Sequence, residues 1–111
     1  MPIFVSLGCY SENAVKGMLA KPEDRTAAVT KLLKQAGGKL LGFYMLFGEY
    51  DWMLVYEVPS GKEAGGIMLA VTGAGAVTDT KTMLAMTGAE AKAAFETGQA
   101  LGAAYRAPGT T

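Results

Sequence analysis

The sequence has no histidine and only one cysteine, Cys9. Without histidine, the chain lacks the commonest general base, the commonest metal ligand and every Ser–His or Cys–His nucleophile pair. A single cysteine makes no internal disulfide, and without cysteine or histidine partners it makes no zinc site. We therefore expect a reduced, cytoplasmic protein with no cofactor and no bound metal, and we interpret Cys9 as a small buried residue.

The chain also has no excess of charge and no long apolar run. Ten Lys and Arg residues balance ten Asp and Glu residues, so the formal net charge is +0. A broad nucleic-acid-binding surface needs excess positive charge. No stretch reaches the roughly 18 consecutive apolar residues of a membrane helix, and Glu12 and Lys16 interrupt the region where a signal peptide would be apolar. We expect neither a nucleic-acid partner nor a membrane location.

Half of the 111 residues are hydrophobic, which is enough for one folded core. We expect a single domain over residues 1–104 and a loose tail over 105–111. Apolar periodicity and turn residues predict four strands and four helical segments. The strands are predicted at 3–9, 39–47, 51–58 and 76–86, and the helical segments at 11–19, 22–36, 60–71 and from 87 onward. Ser60 with Glu63, and Thr87 with Glu90, have the spacing of capping boxes.

This order is β-α-β-β-α-β with an added C-terminal helix, which predicts an α+β fold, the ferredoxin-like plait. We expect a four-stranded antiparallel sheet in the order 4-1-3-2, with the polar fourth strand at an edge. Gly48 is interpreted as a positive-φ turn residue in a short hairpin between the second and third strands.

Simple alternation divides the apolar residues of the second and third strands between the two faces of the sheet. In the second strand it places Leu40, Tyr44 and Leu46 on one face and Leu41, Phe43, Met45 and Phe47 on the other; in the third it opposes Trp52, Leu54, Tyr56 and Val58 to Met53 and Val55. Helices from so short a chain cover one face only. We therefore expect a homodimer or higher homo-oligomer formed through the other face, unless the final helix covers part of it.

Several short motifs lie in the hairpin region, and two more lie outside it. The first are Gly37-Gly38-Lys39-Leu40, Phe43-Tyr44, Phe47-Gly48-Glu49-Tyr50-Asp51 and Glu57-Val58-Pro59; the others are Lys16-Gly17 with Arg25, and Gly75-Ala76-Val77-Thr78-Asp79-Thr80. In this order and spacing, they resemble the GYD-domain family of small bacterial proteins. The resemblance runs from about residue 3 to about residue 96. It implies a ferredoxin-like domain of the dimeric α/β-barrel type and brings no particular reaction.

Two interpretations of Tyr50 and Asp51 stay open. In one, Asp51 is an acid/base group or ligand anchor and Tyr50 is a donor and lid. In the other, Asp51 accepts hydrogen bonds from backbone amides of the turn and Tyr50 packs across the hairpin. Aromatic residues of the sheet either line an apolar pocket or form the core and a dimer interface. The candidate ligand-binding residues are Tyr10, Tyr44, Tyr50, Asp51 and Trp52, and the expected ligand is a small apolar or aromatic molecule.

The sequence favours a small-molecule-binding or accessory protein that self-associates through its sheet. The alternative is a cofactor-independent enzyme of the dimeric-barrel kind, an isomerase, lyase or oxygenase that uses Asp51 and tyrosines. A further alternative is a tautomerase, because Met1-Pro2-Ile3-Phe4-Val5 resembles the start of that superfamily, in which the amine of the proline is the general base. Scattered cations are interpreted as solvated surface residues; they are Lys16, Arg25, Lys39 and Lys81.

Overall fold

The computed structural model describes residues 1–110. Their elements, in chain order, are β1 (Ile3–Tyr10), α1 (Glu12–Ala20), α2 (Thr26–Gln35), β2 (Lys39–Met45), β3 (Trp52–Glu57), α3 (Gly61–Gly73), β4 (Val77–Ala85) and α4 (Gly88–Ala104). The four strands form one antiparallel sheet in the order β2-β3-β1-β4. The predicted α+β fold, the strand order and the edge position of the fourth strand are confirmed.

The core lies between one face of the sheet and the helices α2 and α3. Alternate residues of β3, among them Trp52, Leu54 and Tyr56, are buried there with Leu33 of α2 and Ile67 of α3. The predicted alternation of β3 is therefore confirmed, since Met53 and Val55 are less buried than their neighbours. No helix among residues 1–110 is long and apolar enough to cross a membrane.

One buried polar cluster ties the central strands to the edge strand β4. Ser6 is fully buried, and its hydroxyl shares hydrogen bonds of 2.8 Å with Tyr56 Oη and with Thr82 Oγ1. These bonds satisfy polar groups that would otherwise destabilise the core. The cluster consequently fixes the register of β1 against both of its neighbours.

A register shift in β2 changes which residues face the core. The pairing with β3 shifts between Leu40 and Gly42, as in a β-bulge, and an extra residue reverses the alternation beyond it. Leu40 and Phe43 therefore both pack on the core, while Leu41 and Tyr44 are exposed. The predicted grouping of Leu40 with Tyr44, and of Leu41 with Phe43, is wrong for this reason.

The connection between β2 and β3 is longer than predicted. It spans residues 46–51 instead of 48–50, so Phe47 and Asp51 lie outside the strands. Within it, the Leu46 N–H donates to the Asp51 carbonyl at 2.7 Å. Gly48 does not have the positive φ that was predicted; Gly37 and Gly75 do, at 77° and 75°. A longer loop reverses the chain without a left-handed residue at position 48.

The two predicted capping boxes differ in the structure. At α4, the Thr87 side chain accepts from the Glu90 N–H at 3.1 Å, and Glu90 accepts from the Thr87 N–H at 3.0 Å, so this box is confirmed. At α3, Ser60 accepts from the Lys62 N–H, and the Ser60 hydroxyl donates to the Glu63 carboxylate. Glu63 therefore binds the capping hydroxyl itself, and the predicted reciprocal box is wrong there.

The other face of the sheet carries no helix. Its central residues are Val5, Val55 and Met83, which are direct cross-strand partners, joined by Leu7 and Met53. Helix α4 leaves the end of β4 and buries none of its residues against the domain. The protein is accordingly elongated, with extents of 64 × 31 × 23 Å.

Candidate ligand-binding cleft

An apolar cavity lies between the sheet and the helices α2 and α3. Its volume is about 100 Å³, and its walls come from six elements and from the residues that precede α2 and β4. The lining residues are Tyr10, Arg25, Val29, Leu32, Phe43, Trp52, Leu54, Ile67, Met68, Val71, Ala76 and Val77. Apart from Tyr10, Arg25 and the indole N–H of Trp52, the lining side chains are purely apolar. The cavity therefore suits an apolar body with few polar groups.

Trp52 contributes an unusual polar group to this wall. The side chain is only 4% exposed, and its indole Nε1–H is buried without a hydrogen-bond partner among residues 1–110. Gly8 makes room for the indole, because a Cβ at position 8 would lie 2.4 Å from Trp52 Cζ2. The closely packed ring thus keeps an unpaired donor in an apolar layer.

A second, wider space adjoins the first. It measures about 450 Å³ and is bounded by α1, by the segment before α2 and by the turn before β4. Tyr10, Arg25 and Ala76 line both spaces, so they stand where the two meet. We call the two spaces together the cleft: an apolar inner chamber and a polar outer chamber. Lys21 and Glu23 line the outer chamber only.

Tyr10 and Arg25 supply the polar chemistry at the junction. Burial raises the pKa of Tyr10; the nearby Arg25 lowers it and Asp51 raises it again. The phenol therefore stays protonated at neutral pH, able to donate and accept. Arg25 Nη1 pairs with Glu23 Oε1 at 2.7 Å, with both side chains about half exposed. Such an exposed pair is weak, so a ligand can compete for the guanidinium.

Asp51 positions Tyr10. Its Oδ2 accepts from the Tyr10 backbone N–H at 2.8 Å, and its own N–H donates to the Gly8 carbonyl at 2.8 Å. Asp51 thus accepts a hydrogen bond from a backbone amide, as one of the two interpretations of the sequence predicted. The amide belongs to Tyr10 at the end of β1, however, and not to the turn. The hairpin and the end of β1 that carries Tyr10 are joined by these two bonds.

The structure brings two of the five candidate residues together at the cleft. Tyr10 and Trp52 line it, whereas Tyr44 and Tyr50 line neither chamber. Tyr44 is 54% exposed, and its ring lies over Gly42 on the helix-free face, where it pairs with Met53. Tyr50 is half-buried in the β2–β3 connection.

The sequence interpretation missed Arg25 as a site residue, since it treated this cation as one of several on the surface. Arg25 is in fact the N-cap residue of α2 and reaches both chambers. The signal available was its position one helical turn before Val29 and two before Leu32, on the stripe that faces the sheet.

Cys9 and Pro2 lie away from the cleft walls. Cys9 is half-buried instead of buried, and its thiol contacts the Glu49 carbonyl at 3.6 Å. Desolvation and the nearby Asp51 and Asp79 raise the pKa of this thiol, which disfavours the nucleophilic thiolate. The Pro2 carbonyl accepts from the Val58 N–H at 3.4 Å. Residues 1–110 contain no group of three or more His, Cys, Asp or Glu placed to hold a metal.

The protein is a ferredoxin-like domain with an apolar cleft between its sheet and its helices α2 and α3. In a comparison with family models, residues 4–95 match the GYD domain, so the chain belongs to the GYD domain family. The family resemblance noted in the sequence is confirmed. No curated protein matches the chain. One similar solved structure is described as "crystal structure of FFRP-DM1", with 20% identity, a TM-score of 0.47, and coverage of 78% of this chain and 100% of that one.

Proposed function

We propose that the protein binds a small aromatic or apolar carboxylate in the cleft, as a binding or accessory protein without chemistry of its own. The observation that carries this proposal is an apolar cavity lined by Trp52, whose indole N–H is buried without a hydrogen-bond partner among residues 1–110. A buried donor without a partner costs about 1–3 kcal/mol. Because Nε1 is covered by its neighbours, a ligand recovers that free energy only if the ring shifts enough to bring the N–H to an acceptor on the ligand.

A water molecule is a poor occupant of the inner chamber. Buried waters need about 2–4 polar partners, and away from Tyr10 and Arg25 the side chains that line the chamber are apolar except for the indole N–H of Trp52, which is covered. An apolar ring suits it better. An apolar cavity of roughly 150 Å³ binds benzene, and this one, at about 100 Å³, is open toward the outer chamber.

The outer chamber favours a carboxylate. Arg25 stands at the junction and Lys21 lines the outer wall, so two cations border the space through which the ligand's polar end projects. A guanidinium binds a carboxylate through two parallel hydrogen bonds, stronger than neutral ones. The ligand carboxylate replaces Glu23 on Arg25, while Tyr10 offers a hydroxyl donor beside it.

Calorimetry with phenylacetate and its neutral analogue phenylacetamide tests this function. We expect phenylacetate to bind about 10-fold more tightly, a difference of about 1.4 kcal/mol. Arg25→Gln removes that preference. The matched control is Arg106→Gln, which changes the chain's other arginine in the exposed C-terminal segment and leaves both affinities unchanged. Equal binding of the two probes by the unmodified protein, or no binding at millimolar concentration, contradicts the proposal.

Self-association through the helix-free face is the second part of the proposal. The face carries apolar residues on all four strands of the sheet, and Met83 and Tyr44 there are 47% and 54% exposed. Contiguous exposed apolar surface of this kind marks a contact site. We place the protein in the cytoplasm on the strength of its single cysteine, and we keep residues 1–104 as the domain and 105–111 as its tail.

Catalysis is the less supported alternative. It would need Asp51 as the acid/base group, and the described carboxylate contact of Asp51 is to the Tyr10 backbone N–H. That contact supports a positioning role. No observation at Pro2, whose carbonyl takes part in the pairing of β1 with the end of β3, favours a tautomerase.

A further inference from the structure

Helix α4 is long, well capped and unpartnered. It has 17 residues, none of them buried. Alanines occur all round the helix, but its two large apolar residues, Phe95 and Leu101, lie on one side together with small residues at helical spacing. This stripe consists of Ala91, Ala94, Phe95, Gly98, Leu101 and Gly102. Lys92 and Glu96 pair at 3.0 Å on the opposite side. Phe95 is 80% exposed and Leu101 is 65% exposed.

The small residues of the stripe shape it for close packing. Gly98 has nothing within 4 Å of where its Cβ would be, and with Ala94 and Phe95 it forms a shallow apolar depression. The short side chains of Gly98 and Ala94 leave the helix backbone accessible there. An apolar side chain from another surface can therefore pack closely against the helix at this position.

The chain exposes more surface than a compact monomer of its mass does. A compact folded chain of this mass exposes roughly 5,800 Å², whereas this protein exposes 7628 Å². The excess of about 1,800 Å² over that expectation exceeds the ≈ 800 Å² per partner of a standard interface and falls in the range of obligate homodimers. Two unpartnered apolar surfaces account for it: the stripe of α4 and the helix-free face of the sheet.

We propose that two copies of this chain exchange their α4 helices. The α4 stripe of one copy packs on the helix-free face of the other, and we call this exchanged helix the arm. This inference rests on the self-association proposed above and names the element that mediates it. Each α4 lies across the sheet of its partner, and a two-fold axis makes the two contacts identical. Phe95 and Leu101 of one chain pack on Val5, Val55 and Met83 of the other.

One feature favours exchange over folding back onto the same chain, and two others are compatible with it. The connection from β4 to α4 is residues 86–87 alone, and the Thr87–Glu90 capping box fixes the direction in which α4 leaves. That direction leaves all residues of α4 unburied. The lengths also agree: α4 is about 26 Å long and β1, at the centre of the face, is about 27 Å long. A net charge of +0 adds no repulsion between the copies.

The test is light scattering after size exclusion at micromolar concentration. The unmodified chain is expected at about 23 kDa, twice its 11.5 kDa. Phe95→Asp is expected to weaken the dimer at least about 100-fold, as loss of a central anchor does, giving 11.5 kDa. Leu69→Asp is the matched control, because Leu69 is 75% exposed on α3, and it is expected to remain dimeric.

The receiving face has its own matched pair. Met83 and Leu84 are neighbours on β4 with opposite orientations: Met83 pairs with Val5 on the helix-free face and Leu84 pairs with Phe4 on the core side. Met83→Lys is expected to give monomers, and Leu84→Lys to stay dimeric. If Met83→Lys fails to fold by circular dichroism, Tyr44→Lys on the same face replaces it.

Mixing the two defective chains distinguishes exchange from its alternatives. Phe95→Asp has an intact face and Met83→Lys has an intact arm, so their equimolar mixture forms a dimer if the arm crosses between chains. A mixture that stays monomeric overturns the exchange. A monomeric unmodified chain overturns self-association and the arm together, whereas a dimer that survives both Phe95→Asp and Leu101→Asp overturns the arm alone.

Discussion

The indole of Trp52 combines tight packing with an unpaired N–H, and the two effects act in opposite directions on stability. Trp52→Phe removes the unpaired donor, which relieves about 1–3 kcal/mol, and removes ring volume, whose loss costs a similar amount in a core. We expect the free energy of unfolding to change by less than about 1.5 kcal/mol, while phenylacetate binds about 10-fold more weakly.

Urea denaturation and calorimetry of Trp52→Phe measure these two quantities. A large fall in stability with unchanged phenylacetate affinity would mean that the indole is a packing residue only. That result would contradict the proposed function, because away from Tyr10 and Arg25 the other side chains that line the inner chamber are apolar and donate no hydrogen bond.

Asp51 is expected to act through Tyr10. Asp51→Ala leaves the Tyr10 N–H without its 2.8 Å acceptor, which costs about 1–3 kcal/mol. Asp51→Asn keeps a carbonyl oxygen at the same place and is expected to lose less than half as much. Thermal unfolding of the two variants, compared with phenylacetate affinity, checks this. An Asn variant as unstable as the Ala variant would show that the negative charge, and not the acceptor, is what β1 requires.

At the scale of elements, the glycines around β2 have unequal roles. A Cβ at Gly38 would lie 2.2 Å from the Glu57 carbonyl oxygen, whereas a Cβ at Gly48 has nothing within 4 Å. Gly38→Ala is therefore expected to force β2 away from β3 and to cost more than about 2 kcal/mol. Gly48→Ala is expected to stay within about 0.5 kcal/mol of the unmodified protein.

Chemical denaturation of the two alanine variants tests this contrast. The glycine of the Gly-Glu-Tyr-Asp stretch is the tolerant one in this comparison, although it belongs to the segment on which the family resemblance rests. If Gly48→Ala proves as damaging as Gly38→Ala, that segment has a contact in the assembled protein that one chain does not contain.

If the proposed dimer forms through α4, the N-terminus of this helix is expected to give it a pH dependence. Hydrogen bonds from Thr87 lower the pKa of Glu90, so its contribution to the helix is complete above the ordinary glutamate value of about 4.3 and is lost as pH falls through the lowered pKa. The arm is then expected to fray, and the dimer to weaken, in acid.

Glu90→Gln is the control for this dependence, because Gln can keep the capping contact and does not titrate. Sedimentation between about pH 3 and pH 6 is expected to show a shallower fall in dimer affinity for Glu90→Gln than for the unmodified chain. Identical pH profiles would indicate that the cap of α4 does not contribute to association.

The sequence predicted the sheet well because β-α-β crossovers leave few topologies. The prediction failed in β2, where a bulge interrupts the alternation of side chains between the two faces of the sheet. Gly42 is the only turn-forming residue near this bulge, and nothing else in the sequence indicates that Phe43 faces the core and Tyr44 faces away from it. Two of its five ligand-binding candidates, Tyr10 and Trp52, line the inner chamber, where large aromatic side chains commonly form apolar walls. It missed Arg25 because the sheet and α1 bring that residue to Tyr10 only in three dimensions.

At the scale of the whole molecule, the cleft and the helix-free face lie on opposite sides of the sheet and share its central strands. β1 carries Tyr10 into the cleft and Val5 onto the face, and β3 carries Trp52 and Val55 in the same way. Ligand binding and assembly are therefore separable by mutation: Met83→Lys is expected to give monomers that still bind phenylacetate within about 3-fold of the dimer. Calorimetry on that variant checks this, and loss of binding would place part of the cleft under control of the partner.

The ¹H–¹⁵N correlation spectrum of the protein titrated with phenylacetate tests the central claim most directly. Trp52 is the single tryptophan, so one indole N–H cross-peak reports on the unpaired donor. We expect this peak to move downfield as the N–H gains an acceptor, to saturate with the affinity measured by calorimetry, and to need about 10-fold more phenylacetate in Arg25→Gln. An indole peak that stays in place while phenylacetate saturates the protein, or up to millimolar phenylacetate, would contradict the account.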